Sequence, residues 1–174
     1  LKGATFAHGR QMGKTLILPV RWNLATAKPV LGTNPTEKLL TNGIRGSLKY
    51  SDFEWCSWAD NDSVSFTIDL LKLEILNTLI LGCITNNGMA IHKPASVRVE
   101  VSDDNSKFRE AVVQSFTSEE IFREGNFIEN LSLKLGGTQA RYVRVTAKGP
   151  GVCPASHVRP GQTSRIFFDE VMLE

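Results

Sequence analysis

Three kinds of side chain in this sequence carry chemistry: adjacent carboxylates, histidines and cysteines. The carboxylates come as neighbours, Asp103-Asp104, Glu119-Glu120 and Asp169-Glu170. Two acids that split a glycosidic bond face one substrate from about 5 to 9.5 Å apart. Consecutive strand residues point to opposite faces, so Asp169-Glu170 cannot form such a pair by itself. Asp103-Asp104 falls in a turn, where acids are ordinarily solvated. His8, His92 and His157 have neither a histidine at i+4 nor an HExxH arrangement. No GxSxG elbow, phosphate-binding glycine loop or Cys-His signature occurs. Cys56, Cys83 and Cys153 form no CxxC, and their odd number excludes a fully paired framework within one chain. Buried structural thiols are the first expectation. A disulfide from Cys153 to Cys56 or Cys83 is the alternative in an oxidising compartment. Nothing among these residues supports an autonomous enzyme.

The elements that position these residues are strands. Ser63 to Leu70 alternates, with Val64, Phe66, Ile68 and Leu70 on one face and Ser65, Thr67 and Asp69 on the other. The same period of two runs through Val97-Val99-Val101, Leu131-Leu133-Leu135, Tyr142 to Thr146 and Ile166 to Leu173. Each pattern predicts a strand with one buried and one wet face. Leu76 to Ile84 is more uniformly apolar and predicts a central strand covered on both sides. Helical signal is confined to Thr117-Ser118-Glu119-Glu120, which has the spacing of a capping box and opens a short turn ending at Gly125. Turn residues sit at Thr41-Asn42-Gly43, Asn86-Asn87-Gly88, Ser102 to Asn105 and Gly136-Gly137. The result is an all-β chain, an antiparallel sandwich or jelly roll.

The 174 residues make a little over one domain at roughly 150 residues each. Apolar residues are 41% and charged residues 22%, ordinary for a globular protein, which argues against disorder, collagen and coiled coil. Twenty basic and 18 acidic residues are mixed along the chain, so no basic stripe points to nucleic acid. The longest apolar stretch, Leu70 to Ile84, is interrupted by Lys72, Glu74 and Asn77 and predicts no membrane span. Residues 1–24 look different. The strand-like run Thr15 to Val20 after Gly9 and Gly13 reads as the closing strands of a preceding small β-sandwich, with Arg21 to Pro29 as a linker. A strand belonging to the main sandwich is the alternative. Leu173-Glu174 is set aside as a cloning scar.

Three stretches carry a family resemblance. The first is Lys28-Pro29-Val30 with Leu39-Leu40-Thr41-Asn42-Gly43-Ile44-Arg45-Gly46-Ser47. The second is Pro94-Ala95-Ser96-Val97-Arg98-Val99-Glu100-Val101-Ser102-Asp103-Asp104. The third is Ala140-Arg141-Tyr142-Val143-Arg144-Val145, followed by Gly151-Val152-Cys153-Pro154 and Phe167-Phe168-Asp169-Glu170-Val171. Residues 25–172 resemble a discoidin-like module, also called coagulation factor 5/8 C-type. More closely, they resemble the version at the C-terminus of Bacteroides-type β-N-acetylhexosaminidases, the chitobiases of glycoside hydrolase family 20. Ala4 to Arg10 resembles the last strands of the domain that precedes it there.

The resemblance implies a galactose-binding-domain-like jelly roll of about eight strands. It implies a non-catalytic accessory module that binds or positions a glycan containing N-acetylhexosamine, or braces the parent's catalytic domain. A protein-protein or adhesion module is the alternative. The setting implied is periplasmic or secreted. A structural calcium ion (Ca2+) is implied at Asn42, Ser47 and Glu170. Asn42 stands where the family usually has aspartate, which weakens the site, and Asn42-Gly43 also reads as a plain turn. Three loops should meet at one end to hold the sugar between an aromatic face and polar side chains. Lys49–Asp60 supplies Tyr50, Trp55 and Trp58, with Phe53 and Glu54 beside them. Asn86–Lys93 supplies Asn87 and His92, and Lys148–Ser164 supplies His157 and Arg159. Related modules often carry a Trp in the second loop and another after the Cys-Pro of the third. Here those stretches read Met89-Ala90-Ile91 and Ala155-Ser156-His157, so both platforms are missing.

Overall fold

The computed structural model of the protein describes residues 2–3, 6–7, 10–11, 13–17, 23–58 and 63–174. His8, the second half of the Thr15–Val20 run and the end of the first loop, residues 59–60, lie outside them. Near the start, β1 (Lys2–Gly3) pairs with β4 (Leu16–Ile17), and β2 (Phe6–Ala7) pairs with β3 (Arg10–Gln11). These pairs stand apart from the main sheet.

The main sheet holds β5 (Val30–Leu31), β6 (Cys56–Trp58), β7 (Ser63–Asn86), β8 (Ser96–Ser102), β9 (Arg109–Ser115), β10 (Asn126–Lys148) and β11 (Ile166–Leu173). Its order is β6-β11-β7-β10-β8-β9, with β5 against β7, and every pairing is antiparallel. It becomes two layers because β7 and β10 each serve both. Residues 63–69 of β7 pair with 142–148 of β10, and residues 74–86 pair with 126–140. The register slips twice, between Lys134 and Thr138 and again between Ala140 and Tyr142. Leu71 sits at φ +68°, Gly136 at +65° and Gly137 at +78°. These left-handed residues and the bulges bend the long strands from one layer into the other.

The bend places both alternating faces in one core. Val64, Phe66, Ile68, Leu70, Val97, Val99, Val101, Val143 and Val145 from one layer meet Leu79, Leu81, Leu131, Leu133, Leu135, Phe168, Val171 and Leu173 from the other. Each such side chain contributes roughly 1.5–3 kcal/mol of burial, which fixes the register because a one-residue slip would turn the whole set outward. The architecture is the open antiparallel sandwich expected from the period of two. The capping box is also formed. Thr117 caps α1 (Ser118–Ile121), its hydroxyl accepting the Glu120 N–H while the Glu120 carboxylate accepts the Thr117 N–H.

The C-terminal residues are tied into the sandwich: Leu173 ends β11 and Glu174 follows it. Leu173 is fully buried and paired with Leu79, and the Glu174 N–H donates to the Thr78 carbonyl. The hydrophobic period that predicts Ile166–Leu173 carries it inward. No helix among the described residues is long and apolar enough to cross a membrane.

Candidate functional site

A second, smaller core gathers the loops at one end of the sandwich. Trp55 of the first loop, Ile84 before the second and Ile91 within it, and Phe167 after the third are buried together, with Tyr50, Met89 and Ile128 packed against them. Arg165 helps close the group, its guanidinium donating to the Met89 carbonyl (3.1 Å) and its N–H to the Ala90 carbonyl (2.9 Å).

This arrangement changes the roles of the expected aromatics. Trp55 is buried, its indole N–H donating to the Ser47 carbonyl at 3.0 Å. Gly46 lies so close that a Cβ there would come within 2.3 Å of the ring. Trp58 faces the main core, because alternation along β6 turns Cys56 and Trp58 inward. Its ring is parallel to Phe66 (6.3 Å between centroids) and edge-on to Phe168 (5.6 Å). Neither tryptophan presents a face to a sugar, and core packing is what holds them. Tyr50 is half-buried, edge-on to Phe167 at 6.4 Å. The ring that the first loop does expose is Phe53, 91% accessible.

The second and third loops enclose a cavity of about 130 Å³ lined by Asn87, Phe122, Glu124, Pro154, Ser156, His157 and Val158. Asn87 and His157 touch, Nδ2 to Nε2, at 3.3 Å, and His157 Nδ1 accepts the Arg159 N–H at 3.0 Å. The Arg159 residue itself is exposed. His92 does not reach the cavity. It is fully buried, edge-on to Phe122 (5.0 Å) and to His157 (4.9 Å), two of the residues that form the cavity wall. No ligand could touch it without moving them. Burial pulls its pKa down to about 4, His157 adds to that, and the Ile121 carbonyl opposes it weakly. Both ring nitrogens lack a hydrogen-bond partner, as does the buried Asn87 Oδ1. An orphaned buried polar atom costs about 1–3 kcal/mol, so this corner is expensive as it stands.

Asn42, Ser47 and Glu170 bring other partners together. Asn42 Oδ1 accepts the Ile44 N–H (2.8 Å), and its amide donates to Glu54 (2.9 Å). The Ser47 hydroxyl accepts the Lys49 N–H (3.1 Å). Buried Glu170 accepts from the Gly43 N–H (3.1 Å) and the Asn23 amide (3.2 Å). Burial pushes its carboxyl up to about 7. Beside it, fully buried Asp169 pairs with Arg45 at 2.7 Å. Calcium needs six to eight free oxygens. Asn42 Oδ1 and the Ser47 hydroxyl each accept a main-chain N–H, and Arg45 brings a positive charge to adjoining Asp169. Calcium at Asn42, Ser47 and Glu170 would have to compete with these groups.

All three cysteines are free and buried, so the disulfide alternative is not realised. Burial pushes the Cys56 thiol up to about 12 and raises Cys83 as well. Cys153 Sγ lies 3.4 Å from the Ser164 hydroxyl.

Alongside the two layers and the gathered loops, the sequence matches the F5/8 type C domain over residues 25–158. The chain belongs to that family. No curated protein sequence matches it. Solved structures share the fold. CpGH89CBM32-6 from Clostridium perfringens superposes with a TM-score of 0.57 at 18% identity, covering 88% of this chain and 98% of that one. The chitosan-binding module 1 of a chitosanase/glucanase from Paenibacillus sp. IK-5 gives 0.58 at 16%, covering 88% and 99%. CpGH89CBM32-4 from Clostridium perfringens, in complex with glcNAc-alpha-1,4-galactose, gives 0.52 at 16%, covering 87% and 92%.

Of the residues expected to line a sugar site, this F5/8 type C module brings Asn87 and His157 into one cavity, with Arg159 at its edge. Phe122 and Glu124 were missed because they follow α1, outside the three loops. The Thr117–Glu120 capping box was their only signal, since it fixes a turn at that place.

Proposed function

We propose that the chain is a non-catalytic carbohydrate-binding accessory module, joined to a glycoside hydrolase of the chitobiase kind and holding a glycan that ends in N-acetylhexosamine. The observation that carries this is the cavity between the second and third loops. Phe122 forms one aromatic wall, and Asn87, Glu124, Ser156 and His157 give amide, carboxylate, hydroxyl and imidazole groups for sugar hydroxyls. At about 130 Å³ it suits a terminal residue held from one side, not an enclosed ligand. Its fold neighbours include modules that their names connect with chitosan and with glcNAc-alpha-1,4-galactose. A secreted or periplasmic setting follows from such a partner.

The test is a glycan array on the purified chain, followed by calorimetry on the best glycan with Asn87→Ala and Glu124→Gln. Binding to terminal N-acetylhexosamine that falls about tenfold in each variant is expected, the size of one lost hydrogen bond to a buried group. A blank array, or binding indifferent to both substitutions, would sink the reading. A second reading rests on exposed Ile44 and Leu48, just before the first loop, and exposed Phe53 within it. In that reading the loop docks on protein, either the catalytic domain or an adhesion partner. Phe53→Ser then weakens docking and leaves the glycan titration unchanged.

A further inference from the structure

His92, Cys153 and His157 each bring one ligand atom within 4.8 Å of the other two. We propose that they bind a zinc ion, which pins the third loop to the second. The site shares His157 with the glycan cavity, but its test reads the metal alone and does not need the glycan reading to hold.

Three observations carry it. The first is the donor set. Two imidazoles and a thiolate suit zinc, a borderline ion that takes N and S ligands in a tetrahedron. Bonds of about 2.0–2.3 Å place such ligand atoms roughly 3.3–3.6 Å apart. The cluster therefore needs to contract by about an ångström, which side-chain rotations supply. The second is His92. It is fully buried and neither ring nitrogen has a partner, although buried polar groups are nearly always satisfied. An ion on one nitrogen removes that deficit. The other nitrogen is then free to donate its N–H to a neighbouring carbonyl. A ligating histidine ordinarily makes that second bond. The third is enclosure. Cys153 is 3% accessible and His157 8%, so the site is shielded, and the cavity beside His157 leaves the fourth position to water.

Loading has a defined cost. His157 Nδ1 accepts the Arg159 N–H. Binding at Nδ1 displaces that bond, and binding at Nε2 moves the ring proton to Nδ1. Binding at Nε2 also displaces the Asn87 contact there. Cys153 releases its proton to solvent as the thiolate forms. The main-chain bonds Cys153 N–H to Gln162 and Ser164 N–H to Gly151 hold the third loop in place through the exchange (both 2.9 Å).

The experiment uses the whole chain, reduced and stripped with a chelator, and titrates it with cobalt(II) and with zinc against a chromogenic chelator. One equivalent of cobalt should give the intense visible bands of a tetrahedral ion and a near-ultraviolet band from sulfur. Zinc should bleach both. Zinc at about 100-fold over its Kd should raise the melting midpoint by roughly 5 °C or more. Cys153→Ser and His92→Gln should each weaken zinc at least about tenfold. The wild-type cobalt spectrum decides thiolate ligation even where a variant does not fold. Absence of the sulfur band, zinc affinity indifferent to either substitution, or binding of copper(I) without zinc would each overturn the proposal.

Discussion

Glu170 shows how a single residue can set the response of the fold to pH. It is 2% accessible, and its two bonds from Gly43 and Asn23 do not offset the loss of water. Its folded pKa, about 7, lies above the ordinary 4.5. Between those values the folded chain keeps a proton that the unfolded chain has released. The contribution to stability is therefore fully present below about pH 4.5 and is lost as pH rises through about 7. A shift of that size corresponds to about 3 kcal/mol. Glu170→Gln keeps an oxygen for the Gly43 N–H and cannot ionise. Urea unfolding of both proteins should show wild type losing about 3 kcal/mol relative to Glu170→Gln between roughly pH 5 and pH 8. A gap that does not change with pH would mean that the carboxylate is ionised in the folded state. Neighbouring Asp169 is paired instead, with Arg45 and with N–H groups from Gly46 and Glu170 (2.7 Å, 3.0 Å and 2.7 Å).

The same ion pair constrains the strand beneath it. Gly82 lies in β7, and a Cβ there would stand 1.9 Å from Asp169 Oδ1 and 2.5 Å from Arg45 Nη2. Three donors hold that carboxylate in place, so it has nowhere to go. Gly82→Ala should therefore cost about 3 kcal/mol, combining overpacking with a disturbed buried pair. Gly13→Ala, in open space, should change stability by less than about 0.5 kcal/mol. Equal urea midpoints for the two variants would refute this account of the strand. At this scale the sequence was informative where one face alternates. Val64 to Leu70, Val97 to Val101 and Leu131 to Leu135 are strands with those residues buried. What it did not reveal is that β7 and β10 run through the bend, because Leu71 at φ +68° looks in the sequence like any other leucine. Arg109–Ser115 was also missed, since β9 is an edge strand whose residues are half-buried or exposed. The loop tryptophans misled for the reverse reason. A large ring in a loop reads the same whether it packs downward or outward, and here the small core beneath the loops decided it. The cluster of His92 with Cys153 and His157 spans some sixty residues of chain, and only the folded loops assemble it.

The whole molecule is fastened at a point that the hydrogen bonds define. Asn23 donates to Glu170 Oε1 (3.2 Å) and to the Val171 carbonyl (3.1 Å), and it accepts from Leu173 N–H (2.9 Å) and Ala25 N–H (3.0 Å). The Leu24 N–H adds a bond to the Leu173 carbonyl at 2.9 Å. One short segment thus ties the entry of the module to its last strand, while β1 to β4 pair only among themselves. The family match begins two residues later, at Ala25. If residues 1–22 belong to a neighbouring unit, a chain of residues 23–174 should melt within about 2 °C of the full one. A chain of residues 26–174 should fall by roughly 5 °C or more, because Leu173 N–H and Glu170 Oε1 lose partners at about 1–3 kcal/mol each. Asn23→Ala in the 23–174 chain should reproduce most of that fall, separating the clamp from simple shortening. If residues 23–174 melt as low as residues 26–174, the first segment is bracing the sandwich and the boundary lies elsewhere.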